Sequence, residues 1–242
     1  MAEAPAERPR VSVDAVLTAI AIIPSAPVLV PELAGAAASE IADLRRAVFA
    51  AAAALPDRWI AVGVGPADAV IGRCGAGSFG GYGVDLRVGL SPQAFGVAAM
   101  PLCALMTGWV RTRVRPAAQA EVRVFAADHD GEAARLGGRG LRVEIDKAAG
   151  PVGVLVVADG ANTLTEKAPG GHDPGGADIQ RALDDALADC DAAALTRLPA
   201  SITGRVAFQV LAGMAESPPR SAKELYRGAP YGVGYWAGVW QP

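Results

Sequence analysis

Three observations predict an α/β fold, a three-layer αβα sandwich around a mostly parallel or mixed sheet. Short runs of strand length alternate with segments of helical periodicity along the 242 residues. Three of the strand-like runs, Ala15 to Ile23, Trp59 to Val64 and Val152 to Ala158, are apolar nearly throughout, which is the pattern of strands covered on both faces. Finally, 52% of residues are hydrophobic but only 5% aromatic, and 29 are glycine, so the core is built from small aliphatic side chains that allow helices to approach a sheet closely. The length suits one domain with a sizeable core. Residues 13–242 therefore read as a single domain behind a loose arm, 1–12, that carries Pro5, Pro9 and several charges.

The elements follow in order. Ala15 to Ile23 is a buried strand ending at the turn Pro24-Ser25-Ala26-Pro27. Ala34 to Leu55 reads as one long helix with Ile41, Leu44, Val48 and Leu55 on its apolar stripe and Pro56 beyond its end. Trp59 to Val64 is a second buried strand, entering a Gly-rich loop that runs to Gly83. Val84 to Leu90 reads as a strand, and Ser91-Pro92 opens a helix to about Val114 that Pro101 kinks or divides. Glu121 to Ala127 is a strand, followed by Asp128-His129-Asp130 and a short helix to Leu136. Val152 to Ala158 is the strongest strand and ends in a long polar loop. Helices are expected from Asp173 to Cys190, Ala192 to Leu198 and Ser201 to Ala215. The tail "APYGVGYWAGVW" is a Gly-rich loop running into a last strand.

Charge and cysteine usage exclude several classes. A net charge of −3 with no basic run argues against a nucleic-acid partner. Three scattered cysteines, Cys74, Cys103 and Cys190, without a C-x-x-C pair, argue against a disulfide framework or a structural zinc site. Arg8 and Arg10 ahead of an apolar stretch imitate a secretory signal, but Glu3 and Glu7 cancel them and three prolines interrupt the helix such a signal needs. No apolar run reaches the ~18 residues of a membrane span. A cytoplasmic location and no membrane association are the expectations.

In α/β sheets ligands sit at the carboxyl ends of strands, which directs attention to the loops there. "GAGSFG", Gly75 to Gly80, has the letters of the dinucleotide fingerprint but neither follows a strand directly nor opens a helix, so it reads as a chance match. His129 and His172 are the only histidines, each in a polar loop after a strand. Together with an acid such as Asp128, Asp130 or Asp159 they could form the two-imidazole, one-carboxylate set of non-heme iron. Asp159 leaves the strongest strand, and Asn162, Lys167 and their neighbours crowd the same loop with amide and ammonium groups. Ser25, presented by the Pro-Ser-Ala-Pro turn, and Tyr231 in the C-terminal loop complete the ligand-binding candidates. Ser25, Asp159, Asn162, Lys167 and His129 are the catalytic ones.

The order of strand, Pro-Ser-Ala-Pro turn, helix, strand, Gly-rich loop and late "VVADGANTLTEKAPG" resembles the class III extradiol ring-cleavage dioxygenases, the LigB-like superfamily that includes MEMO-type proteins. "EKAPG", "FQVLAGM" and "APYGVGYW" suggest an actinobacterial branch, and the resemblance runs from about Ala19 to Trp240. It implies a LigB-like fold and, in active relatives, cleavage of catechol-type rings with Fe(II) and dioxygen. It also implies a first-strand turn Pro-His-Pro-Pro whose His binds iron, and Ser25 stands at that position here. A second metal His is expected after the second strand, where "VGVGPADAV" has none. The late strand ends in Gly-Asp-x-Ser-His in the family; here Asp159 is retained and Asn162 stands near the His position. A C-terminal carboxylate ligand is expected, and "PYGVGYWAGVW" has no acid.

Neutral Ser and Asn are weak Fe(II) ligands beside imidazole and carboxylate. The expectation is therefore a LigB-like domain with a degenerate metal site that keeps a small-molecule pocket. No cofactor is expected, and Fe(II) only if the family chemistry is retained. Two alternatives stand beside it: a non-catalytic auxiliary subunit, and an active dioxygenase with relocated ligands, His129 and His172 among them. A homo-oligomer is expected.

Overall fold

The structure, a computed structural model, describes residues 16–242; the arm expected over residues 1–12 lies outside the described residues. Strand β1 (Leu17–Ile23) ends at Pro24 and is followed by a 3₁₀ turn at Pro27–Leu29. Where one long helix is expected there are two: α1 (Pro31–Ala34) and α2 (Ala42–Ala53), separated by a 3₁₀ turn that starts at Gly35, whose φ is 55°. The Ala34–Ala38 run buries no side chain, so nothing holds it to one continuous axis.

Strand β2 (Arg58–Gly65) follows, and the Gly-rich segment is less of a loop than expected. It contains β3 (Ala69–Ile71) and β4 (Ala76–Ser78), and β4 pairs with β5 (Arg87–Gly89) as a two-stranded ribbon outside the main sheet. The "GAGSFG" run therefore enters β4 and a 3₁₀ turn at Phe79, not a helix N-terminus. Ser91-Pro92 forms a turn instead of opening a helix, and α3 (Leu102–Val114) starts immediately after Pro101. Proline fixes its own backbone and lacks the donor a helix interior needs, so it sets the boundary.

Strand β6 (Gln119–Ala126) leads to α4 (Gly131–Asp146), which is far longer than the expected turn or two ending at Leu136. Gly137, Gly138 and Gly140 disguise its second half, yet one of these glycines is what lets it pack. A Cβ at Gly138 would sit 2.1 Å from the Val210 carbonyl oxygen, and one at Gly213 would sit 2.1 Å from that of Arg135. Backbone therefore lies on backbone between α4 and α7 (Arg205–Met214).

Between these come β7 (Val152–Val157), α5 (Gly176–Ala188) and α6 (Ala192–Leu195); the chain ends in β8 (Ser221–Gly228) and β9 (Tyr235–Gln241). Strand β8 is not expected from the sequence because "SAKELYRG" is polar, as befits an edge.

The main sheet has seven strands in the order β3-β6-β2-β7-β1-β9-β8. Its centre, β6-β2-β7-β1, is parallel, while β3, β9 and β8 pair antiparallel. The sandwich is therefore three-layered with a mixed sheet. One apolar core, holding Leu44, Val48, Trp109 and Leu155, lies under α2 and α3. The other, holding Ile145, Val154, Leu187 and Phe208, lies under α4, α5 and α7. Helices after β1 and β2 thus cover one face and those after β6 and β7 the other, so the chain diverges around the carboxyl end of β7, the kind of position where α/β sheets take their ligands.

Candidate functional site

The crevice is furnished by strand alternation. Ala21 and Ile23 of β1, Leu155 and Val157 of β7, and Ala237 and Val239 of β9 all face the α2–α3 core. With a side-chain period of two, the next residues on that face are Ser25, Asp159 and Tyr235. The three meet. Strands β1 and β7 pair in register at Ile23 and Val157, and beyond it the Ser25 backbone N–H donates to Asp159 Oδ1 at 2.8 Å. Strands β1 and β9 pair at Ile20 and Trp240 and at Ile22 and Gly238, a register that, continued, sets Tyr235 across from Ser25. Two backbone hydrogen bonds stitch the remaining side: Gly160 N–H donates to the Gly234 carbonyl and Gly234 N–H to the Ala161 carbonyl, both 2.8 Å.

Asp159 keeps some contact with solvent although protein atoms surround it on nearly every side, as expected at the floor of a crevice. Burial pushes its carboxyl up to about 7, against the opposing effect of the Ser25 amide. Tyr235 is 5% exposed, and no hydrogen bond engages its hydroxyl among the described residues. Its ionisation is pushed upward by burial first, then by the negative charges of Asp159, Tyr231 and Tyr226. Tyr231, half-buried, donates its hydroxyl proton to Glu40 Oε2 at 3.0 Å.

Under the loop lies a buried amide. Gln180 Oε1 accepts from the Ala161 N–H at 2.8 Å while its Nε2 donates to Asp184 Oδ1 at 2.8 Å. Gly160 and Gly234 leave the room it fills: a Cβ on either would lie within 2.1 Å of the amide oxygen. Burial pushes the Asp184 carboxyl up to about 6, with the Gln180 hydrogen bond opposing.

Of the sequence candidates, the structure brings Ser25, Asp159 and Tyr231 into this neighbourhood. Asn162 instead braces its own loop: its carbonyl accepts from the Gly170 N–H at 2.9 Å and its side chain fills the space above that glycine. Lys167 and His172 are exposed, His172 being tied through an isolated backbone bridge to Leu164. His129 lies across β7 from Ser25, at the ends of β6 and β2, where its Nε2 is 2.8 Å and 3.0 Å from the two oxygens of Asp68. Asp68 also accepts the Ala126 N–H at 2.7 Å, and these contacts, the backbone one foremost, hold its carboxyl below the usual range.

Sequence reasoning missed Tyr235, Tyr226, Glu40 and Gln180. Only Tyr235 left a signal, its two-residue spacing from Ala237 and Val239. The residues present do not fit an iron centre of the kind the family resemblance implies. Among the described residues no three His, Cys, Asp or Glu side chains converge, and the positions expected to hold imidazoles carry Ser25 and a loop-bracing Asn162.

Concavity alone points elsewhere. A groove of about 1360 Å³ lies at the opposite ends of β2 and β6, lined by Arg58, Trp59, Gln119 and Ala120, with Arg73 and Arg115. Two of its side chains are hydrogen-bonded, Arg115 to Asp57 at 2.9 Å and Arg73 to Gln119 at 3.4 Å, while Arg115 Nε is buried without a partner. What marks the junction of Ser25 and Asp159 is the Asp159 carboxyl, pushed up to about 7 by burial at the carboxyl end of a central parallel strand.

No family model matches this chain, and no curated protein matches it. Among solved structures it is similar to that of an uncharacterised protein of Escherichia coli K12, JW3007, with a TM-score of 0.57 and 9% identity over 93% of this chain and 100% of that one. The likeness is one of fold: an α/β sandwich whose mixed sheet is flanked by helices. No helix among the described residues is long and apolar enough to cross a membrane.

Proposed function

We propose that the protein is a LigB-like domain whose iron site is lost and whose crevice at the strand ends binds a small molecule, with or without non-redox chemistry. The observation that carries this reading is the Ser25–Asp159 hydrogen bond at the carboxyl ends of adjacent parallel strands. It supports retention of the ligand position of an α/β sheet, while the residues around it are too few and too neutral to hold iron. Ring cleavage needs a metal to bring catechol and dioxygen together, and a lone carboxyl beside a serine and a tyrosine gives that metal no seat. The three free cysteines, one of them exposed, fit the reducing cytoplasm proposed as its location.

Anaerobic calorimetric titration of the purified protein with Fe(II), checked by elemental analysis, tests the loss of iron. The expected result is no stoichiometric binding. Micromolar or tighter binding abolished by His129→Ala would instead establish a relocated metal centre and overturn the reading.

A second reading, an auxiliary subunit within a homo-oligomer, is favoured by Phe95 and Val97, 75% and 54% exposed in the segment before α3. Exposed apolar side chains of this size grouped together mark association surfaces. Sedimentation decides it: a dimer or higher state supports it and a strict monomer opposes it.

A further inference from the structure

The groove at the opposite ends of β2 and β6 gathers cations that the fold leaves uncompensated. Arg58 and Gln119 are register partners across those strands, so their side chains emerge side by side, and Arg73 Nη1 donates to the Gln119 amide oxygen at 3.4 Å. Arg115 stands in the turn that leads into β6, tied through Nη1 to Asp57, the residue before Arg58, and its Nε is buried without a partner. Three guanidiniums therefore line the groove with a single carboxylate, Asp57, paired to one of them, and neither Arg58 nor Arg73 has a salt bridge among the described residues. The other acids of the lining, Glu121 and Glu144, do not answer this charge, because both bind Arg123. In a chain whose net charge is −3, such crowding of like charges is a cost that folding alone does not reward. A second observation is apolar. Val70 is 59% exposed, Ala98 and Ala99 are exposed and Met100 is half-buried, and all four line the same groove. Its volume of about 1360 Å³ exceeds the roughly 300–1000 Å³ of ordinary small-molecule sites, which leaves room for an apolar body beside a charged group.

We infer that this groove is a second binding site, separate from the junction of Ser25 and Asp159, and that its ligand is an organic anion, a carboxylate or phosphate carried on an apolar body. The anionic oxygens accept from Arg58, Arg73 and Arg115, whose planar fork of donors matches either group, and the body lies along Val70 and Met100. An ammonium ligand would meet three like charges instead.

The test titrates benzoate, phenyl phosphate and benzylamine into the full chain by calorimetry and follows alkylation of Cys74 by iodoacetamide, located by peptide mass spectrometry. Cys74 is exposed and lines the groove, so its protection reports occupancy, and Cys190, outside the groove, is the control. The expected result is that benzoate, phenyl phosphate or both bind at least tenfold tighter than benzylamine and slow Cys74 alkylation at least threefold, with Cys190 unchanged. Arg58→Gln combined with Arg73→Gln, which breaks no salt bridge among the described residues, weakens the anion at least tenfold while unfolding stays cooperative. Benzylamine that binds as tightly and protects Cys74 as well, anions that bind without protecting Cys74, or an unchanged affinity in the double variant overturns the assignment. Absence of binding by every probe overturns it too. None of these outcomes touches the reading of the Ser25–Asp159 junction.

Discussion

At Asp159 the chain holds an acid where burial works against its charge. The unfolded carboxyl has an ordinary value near 3.8, and the folded one lies near 7. The folded protein therefore binds this proton more tightly, and its stability falls as pH rises from about 4 and levels off above about 7. Asp159→Asn should accordingly raise stability by about 2 kcal/mol at pH 8 while changing it little at pH 4, as thermal or urea unfolding at the two pH values would show. Equal effects at both pH values would mean the carboxyl is not held neutral. Asp184, pushed up to about 6 by burial, slopes the same way and is supported by Gln180. Gln180→Ala removes the partner of the Ala161 amide and leaves a void, and a loss of about 2–3 kcal/mol in urea unfolding is expected. These residues also show how much of the site could be read from the chain. Ser25 and Asp159 were legible because each is the first polar residue after an apolar strand. Gln180 was not, since a Gln inside an amphipathic helix looks like any exposed one until the loop it holds is folded over it.

Among the elements, α4 teaches the most. Its glycines hide it from a propensity argument, and the packing of α4 on α7 is what makes them necessary. Two substitutions in the same helix should therefore act in opposite directions. Gly138→Ala drives a methyl into the Val210 carbonyl and should destabilise by about 2–3 kcal/mol, whereas Gly140→Ala meets nothing within 4 Å and should stabilise by about 0.5–1 kcal/mol. Chemical denaturation of both variants checks the pair, and a common sign would contradict the packing described. Strands β1, β2 and β7 were legible because strands buried on both faces are apolar nearly throughout, and β6 because its apolar residues alternate with Glu121 and Arg123. Strand β8 and the ribbon β4–β5 were not, because edge strands and short ribbons are polar or glycine-rich and owe their conformation to the neighbour they pair with.

On the scale of the whole molecule, a mixed sheet buried between two helical layers leaves stability concentrated at its centre. Amide hydrogen exchange should be slowest in β7, whose six residues are all buried, and in its neighbours β1 and β2, and fastest in the edges β3 and β8. Fold class was predictable because alternating runs of strand and helix admit few layered arrangements. Which strand ends would face one another followed from the topology, and only the order β2-β7-β1-β9 brings residues 25, 159 and 235 together from distant parts of the chain. The central claim is that this junction, and not only the larger groove at the other end of β2 and β6, is where the protein receives a ligand. Crystals soaked with a library of small fragments test it most directly. The account predicts fragment density between Ser25, Asp159 and Tyr235. Fragments gathering instead around Arg58, Arg73 and Gln119, with the crevice left to solvent, would contradict it.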